Sequence, residues 1–176
     1  ILPMQPDPTS VESVEYLYAQ YVINRQITAL ERSELLTAIG ETYSYDLYTP
    51  DEHLSLPGCI NHGAVDYYDM APYVFKNAKV NLNISLRSIK SGIPLRAFDI
   101  MGAGGFLLTN YQADFADCYE PGEDFVYFES KDDLLNKIEY YLTHEDERTA
   151  IARNGFEKTT AYHTYKHRIE EILSYL

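Results

Sequence analysis

Residues 81–110 read NLNISLRSIKSGIPLRAFDIMGAGGFLLTN. Lys79–Ile84 has strand character, and residues 86–94 form a polar loop that ends in Gly92 and Pro94. Leu95–Met101 spaces its apolar residues as a short helix. Phe106–Thr109 is wholly apolar, as in a strand buried on both faces of a parallel sheet. Strand, loop, helix and strand within thirty residues make the repeating unit of an α/β sheet. The glycines of Gly102-Ala-Gly104-Gly105 follow a helix and precede a strand. A dinucleotide fingerprint needs the reverse order and a G-x-G-x-x-G spacing. They are therefore read as a helix stop with left-handed residues.

The same grammar extends outward in both directions. Tyr43–Tyr48 alternates like a strand, Thr49-Pro50-Asp51 breaks it, and Cys59–Val65 is a second short strand. Tyr68–Asn77 reads as helix, with Met70, Tyr73, Val74 and Phe75 mostly on one face. Phe125–Phe128 is a further strand, after a loop over 111–124 with a turn near Asp114. Ser130 and Asp133 form a capping box, and Leu134, Leu135, Ile138, Tyr141 and Leu142 give an apolar stripe. Helices follow over about 145–159 and 164–175, the last with Tyr165, Ile169, Ile172, Leu173 and Leu176 inward. Upstream, Thr9 or Ser10 caps a helix that ends near Ile23. A second helix runs from Ile27 to Ile39, with Gly40 as a left-handed stop. The expected architecture is α/β, with four or five parallel strands flanked by helices. Residues 43–176 form that domain. Residues 1–42 form a proline-rich linker, ILPMQPDP, and a helix pair. Ligands of such sheets bind at the carboxyl ends of the strands, which points to loops 63–68, 85–95 and 110–114.

Charge narrows the function. The 176 residues carry 27 acids and 14 bases, a net charge of -13. Such a surface repels phosphate backbones, so no nucleic-acid partner is expected. No apolar run is long enough to span a bilayer. Two cysteines, Cys59 and Cys118, are too few for a disulfide scaffold and read as reduced, cytoplasmic thiols. The chain starts at Ile1 without a signal peptide, and is expected to be a piece of a longer protein.

An anionic ligand must be held locally. Arg87, Lys90 and Arg96 surround Ser91-Gly92 at the end of a strand, three cations within ten residues. Arginine forks and the helix start near Pro94 suit a diphosphate. Equally, the loop is solvated and its cations pair with surplus acids. Asp99 lies one helical turn beyond Arg96. It can accept from the vicinal hydroxyls of a ribose, or simply pair with Arg96. His62 ends a strand on the ligand side, to contact a ligand or to cap a loop. His163 and His167 lack the glutamate of a zincin motif and do not close a zinc site. Asn83-Ile-Ser85 matches a glycosylation acceptor by chance. Cys118 has no cationic neighbour in sequence to activate it.

Together these residues carry a resemblance. Leu95–Thr109 resembles the donor-site helix and strand of group-1 glycosyltransferases, and more closely the spore-maturation CgeB-type branch. Phe115-Ala-Asp-Cys-Tyr-Glu-Pro-Gly-Glu-Asp124 resembles that branch's "F…PGE" loop. Asn61-His-Gly-Ala-Val65 resembles its glycine-containing strand and base-facing loop. The likeness spans roughly 43–176. It implies the C-terminal, Rossmann-like lobe of a GT-B enzyme, which binds a nucleotide-sugar donor for hexosyl transfer without a cofactor or bound metal. Asp99 takes the place of the ribose-binding acid of the E-x7-E motif, and Ser91 the place of the first glutamate. Gly63, Ala64, Val65 and Asp66 fall near the base, His62 near the donor phosphate or sugar, and Arg87 and Arg96 near the phosphates, beside Ser91-Gly92. The acceptor lobe would lie in an N-terminal part of the same polypeptide, so this chain alone would be inactive. Two rival readings remain. One is a non-enzymatic flavodoxin-like or receiver-like module, disfavoured by Asn81-Leu-Asn83 where a receiver needs an acid. The other is a helical adaptor that docks through residues 130–176.

Overall fold

The computed structural model describes residues 12–175. The proline-rich segment 1–8, Thr9, Ser10, Val11 and Leu176 lie outside the described residues. Ser13 opens the first helix, its Oγ accepting the Tyr16 N–H at 3.2 Å. Helix α1 (Val14–Tyr18) passes through a π turn (Ala19–Ile23) into helix α2 (Asn24–Gly40). Ile23 and Asn24 keep right-handed helical dihedrals. The expected helix pair is thus one continuous helical rod. The polar side chains between the two expected helices are satisfied within it. Asn24 Nδ2 donates to Gln20 Oε1 at 2.9 Å, and Thr28 Oγ1 donates to the Asn24 carbonyl at 2.8 Å. Gly40 is no left-handed stop, because the positive-φ glycines do not include it. The last residue of α2 must be glycine because a Cβ there would lie 1.7 Å from the Pro57 carbonyl oxygen.

Five short strands follow, all parallel: β1 (Tyr45–Leu47), β2 (Cys59–Asn61), β3 (Asn81–Asn83), β4 (Leu107–Asn110) and β5 (Val126–Phe128). They form two sheets, a β1–β2 pair and a triplet ordered β3–β4–β5. Asn83 lies opposite Thr109, and Asn110 opposite Phe128. Helix α3 (Ala71–Asn77) connects β2 to β3, and helix α4 (Leu95–Gly102) connects β3 to β4. Helices α5 (Lys131–Thr143), α6 (Glu145–Tyr162) and α7 (Tyr165–Leu173) complete the chain.

Alternation along β4 builds a core on each face of the triplet. Leu108 joins Phe106, Val126, Phe128, Leu134, Ile138 and Ile151 on the side of α2, α5 and α6. Leu107 joins Ala97, Ile100, Met101, Phe115 and Phe125 on the α4 side. Both leucines are fully buried, and each such burial contributes roughly 1.5–3 kcal/mol. The predicted stripe on α5 faces this core, through Leu134, Ile138 and Tyr141. Its Ser130 cap accepts the Asp133 N–H at 3.2 Å, but the Asp133 carboxylate reaches back to the Glu129 N–H rather than to Ser130.

Helix α7 departs from expectation. Tyr165, Ile169, Ile172 and Leu173 are each more than half exposed, so its apolar face does not turn inward among the described residues. The pattern on α7 is amphipathic, but periodicity identifies an apolar face without saying what covers it.

Candidate functional site

Helix α4 is the anchor of the site. Ala97, Ile100 and Met101 fall at spacings of three and four and are all buried. This fixes the opposite side of the helix, which carries Arg96 and Asp99. Gly155 of α6 packs closely here: a Cβ would lie 2.4 Å from the Asp124 carbonyl oxygen and 3.3 Å from Met101 Sδ. Gly104 ends the helix with φ near +83°, the left-handed residue that the glycine run predicts.

Above Arg96 lies a cavity of about 190 Å³. The loops after β1 and β2 supply Tyr48, Pro50, Ala64, Val65 and Tyr67, and α3 supplies Ala71, Val74 and Phe75. The cavity therefore sits at the carboxyl ends of β1 and β2, where the α/β rule places ligands. Among the described residues Arg96 is the one charged residue on its wall. Its guanidinium lies 5.5 Å from the Tyr67 ring centroid and 5.3 Å from that of Phe75, a cation held between two aromatic faces. Among the described residues it makes no ion pair with a carboxylate. The anticipated Arg96–Asp99 pairing is absent from that set.

Asp99 is engaged instead by Tyr67, whose hydroxyl donates to Asp99 Oδ2. That bond, with some burial, pushes the Tyr67 phenol up to about 12. Arg96 and Asp99 thus share one neighbour, Tyr67. The sequence reading missed this residue. Its signal was position, because Tyr67 falls within loop 63–68 at a strand's carboxyl end.

The base-side residues divide by task. Ala64 and Val65 line the cavity. Gly63 has φ near +74°, which lets the chain turn after β2 while its carbonyl accepts the Thr49 N–H at 2.9 Å. Asp66 serves the turn: its Oδ1 accepts the N–H groups of Tyr68 and Asp69 at 2.9 and 2.7 Å. Its carbonyl accepts those of Met70 and Ala71, leading into α3. His62 is exposed and does not line the cavity. Its Nε2 is 2.6 Å from Asp46 Oδ1, and its ring stacks on Tyr48 with centroids 4.8 Å apart. It backs a cavity wall from outside.

The phosphate-loop residues do not converge. Arg87 turns toward α2, where its Nε lies 2.9 Å from both carboxylate oxygens of Glu31 and its Nη2 donates to Oε1. That contact holds the Glu31 carboxyl below the usual range. The Arg87 N–H also donates to Thr28 Oγ1 at 3.2 Å, and Arg32 Nη2 to the Ile84 carbonyl at 2.6 Å. Together these bonds strap α2 across the start of the loop. Lys90 lies over the Tyr16 ring at 5.5 Å. Ser91 is exposed, and the Gly92 N–H donates to Asp114 Oδ2. Of the three clustered cations, only Arg96 faces the cavity. Pro94 brings no capping side chain to the start of α4.

Below the loop, the ends of β3 and β4 carry a polar network that the sequence reading did not foresee. Asn83 Nδ2 donates to Thr109 Oγ1 at 2.9 Å and to Ser85 Oγ at 3.1 Å. The Ser85 N–H donates to Asn110 Oδ1 at 2.7 Å, and its hydroxyl to Gln112 at 3.1 Å. Asn83, Ser85 and Thr109 are buried, so each bond avoids the cost of an orphaned polar group. The network also removes Asn83 as a glycosylation acceptor. Its signal is the pair of asparagines in Asn81-Leu-Asn83 beside the polar end, Thr109-Asn110, of the next strand.

His163 and His167 are spent on the α6–α7 joint. Arg168 Nη2 donates to His163 Nδ1 at 2.6 Å, and His167 Nδ1 lies 2.7 Å from the Thr164 hydroxyl. Among the described residues no group of three His, Cys, Asp or Glu side chains is placed to hold a metal. No described helix is long and apolar enough to cross a membrane.

No curated protein sequence matches the chain. The C-terminal domain of LpcC, a glycosyl transferase group 1 family protein from Francisella tularensis, superposes with a TM-score of 0.51 at 17% identity. The match covers 62% of this chain and 55% of that one. At that identity it establishes a shared fold, an α/β arrangement of parallel sheets flanked by helices. A family described as glycosyl transferase-like matches residues 25–174, from α2 through α7, including the helices that an adaptor reading sets apart as a docking surface. With the fold and the whole site inside that match, the chain belongs to the glycosyl transferase-like family.

Proposed function

We propose that the chain is the donor-binding lobe of a GT-B hexosyltransferase of the CgeB type, and that the cavity beside α4 receives a nucleoside diphosphate sugar. The observation that carries this reading is one cavity lined by Arg96, Tyr67 and further aromatic side chains, with Asp99 bonded to Tyr67 beside it. The cavity is smaller than a whole-ligand pocket. It suits one flat ring, the base, between Val65 and Phe75. Asp99 takes the ribose hydroxyls. The diphosphate lies along Arg96 and the uncapped start of α4, which supply a fork of donors and a favourable dipole.

In transfer, negative charge grows on the departing diphosphate. A guanidinium fixed between two rings meets that charge without reorganising, which is where electrostatic catalysis is strongest. The reading needs no metal. It leaves the acceptor and the base that activates it to a second lobe of the same polypeptide, in the cytoplasm. This chain alone would bind donor without transferring it. Arg87 contributes through the loop it straps to α2 rather than through a phosphate.

Calorimetric titration of the chain with UDP-, GDP-, ADP- and CDP-sugars tests the reading. Saturable heat with at least one is the expected result. Absence of heat with all four overturns it.

A further inference from the structure

Asp99, the acid assigned to the ribose, already has a donor: the Tyr67 hydroxyl. The Tyr67 ring is also a wall of the cavity and one of the two faces against Arg96. One side chain therefore touches both charged groups of the site. The backbone beneath it is fixed, because Asp66 bonds the N–H groups of Tyr68, Asp69, Met70 and Ala71. Tyr67 is 43% exposed, so its hydroxyl has water as an alternative partner. A rotation about χ1 can free the carboxylate without moving the loop.

We propose that Tyr67 gates the ribose position: its hydroxyl competes with the ribose diol for the Asp99 carboxylate, and a nucleotide must displace it. This rests on the donor-site reading above. A phenol and a ribose hydroxyl are the same kind of donor to the same acceptor. A vicinal diol presents two donors to two carboxylate oxygens, so the exchange trades one hydrogen bond for two. The apparent affinity of a ribonucleotide is then lowered by the fraction of molecules in which Tyr67 holds Asp99. A ligand without the diol has no claim on Asp99 and leaves the Tyr67 contact in place. Tyr67 thus sets how strongly the site rewards a ribose.

The test compares Tyr67→Phe with wild type by calorimetry. UDP, GDP, ADP and CDP are each titrated, together with the 2′,3′-dideoxy form of whichever binds. Tyr67→Phe keeps the ring beside Arg96 and removes the competitor. Ribonucleotide affinity is expected to rise about three- to tenfold, with dideoxy affinity unchanged. In an Asp99→Ala background the same substitution is expected to change neither. Ribonucleotide affinity that falls or stays the same in Tyr67→Phe overturns the gate and leaves the donor reading standing. An equal gain for the dideoxy ligand also overturns it, since the effect then does not pass through Asp99. Heat from none of the four in either protein overturns the gate and the donor reading together.

Discussion

Arg87 and Arg96 are nine positions apart on one loop and helix, chemically identical, and held in opposite ways. Arg87 has given its fork to Glu31 of α2, an exposed ion pair that secures the rod against the loop. Arg96 projects between Tyr67 and Phe75 at the rim of a cavity. In a chain with 27 acids, a cation that meets aromatic faces instead of a carboxylate keeps its donors available to an incoming anion. A cluster of positive residues in sequence is therefore no measure of a binding site. What counts is which of them the tertiary fold leaves unspent.

Substitutions that separate the two arginines give the sharpest tests. Arg96→Ala is expected to weaken binding of a nucleoside diphosphate about ten- to a hundredfold, the loss of a charge-assisted fork. Its Tm should stay close to wild type, since the side chain is exposed. Affinity retained in Arg96→Ala breaks the comparison. Asp99→Ala should cost about tenfold in ribonucleotide affinity, and its dideoxy counterpart should be nearly indifferent. A loss equal for both ligands would remove Asp99 from the ribose position.

Arg87→Ala is expected to leave calorimetric affinity unchanged and to lower the Tm by no more than a few degrees, as for an exposed ion pair. A large fall in affinity would mean that Arg87 leaves Glu31 for the ligand. The smallest effect is on pH. Contact with Arg87 depresses the Glu31 carboxyl in the folded chain. Its contribution is thus complete above the unfolded glutamate value of about 4.3 and is lost as pH falls through the lower folded one. Thermal melts from pH 6 to pH 3 should show Arg87→Ala losing less stability than wild type. Parallel curves would show that the ion pair adds nothing in solution.

Much of the fold was legible because it rests on local pattern. Strands of three or four residues between turn signals, the apolar run Phe106–Thr109 and the stripe on α5 all lie where periodicity puts them. The errors have a common source. Gly40 was assigned to torsional freedom when it is required by the approach of Pro57. The gap expected between Ile23 and Ile27 is bridged by helix whose polar side chains bond internally. The α7 face was assigned a partner that the described residues do not provide. Each depends on what comes near from elsewhere in the chain, which spacing does not encode.

The site divides along the same line. From the residues alone came the parallel α/β architecture, the loops at the strand ends, and Arg96 and Asp99 on one helix. Helical spacing and the strand rule depend only on backbone geometry. Only the folded chain determined that Arg87 pairs with α2, that Asp66 bonds its own turn, that His62 stacks on Tyr48, and that Tyr67 joins Arg96 to Asp99. Such choices are made between side chains far apart in sequence, Arg87 and Glu31 among them, where competition for partners in three dimensions decides which charge remains available.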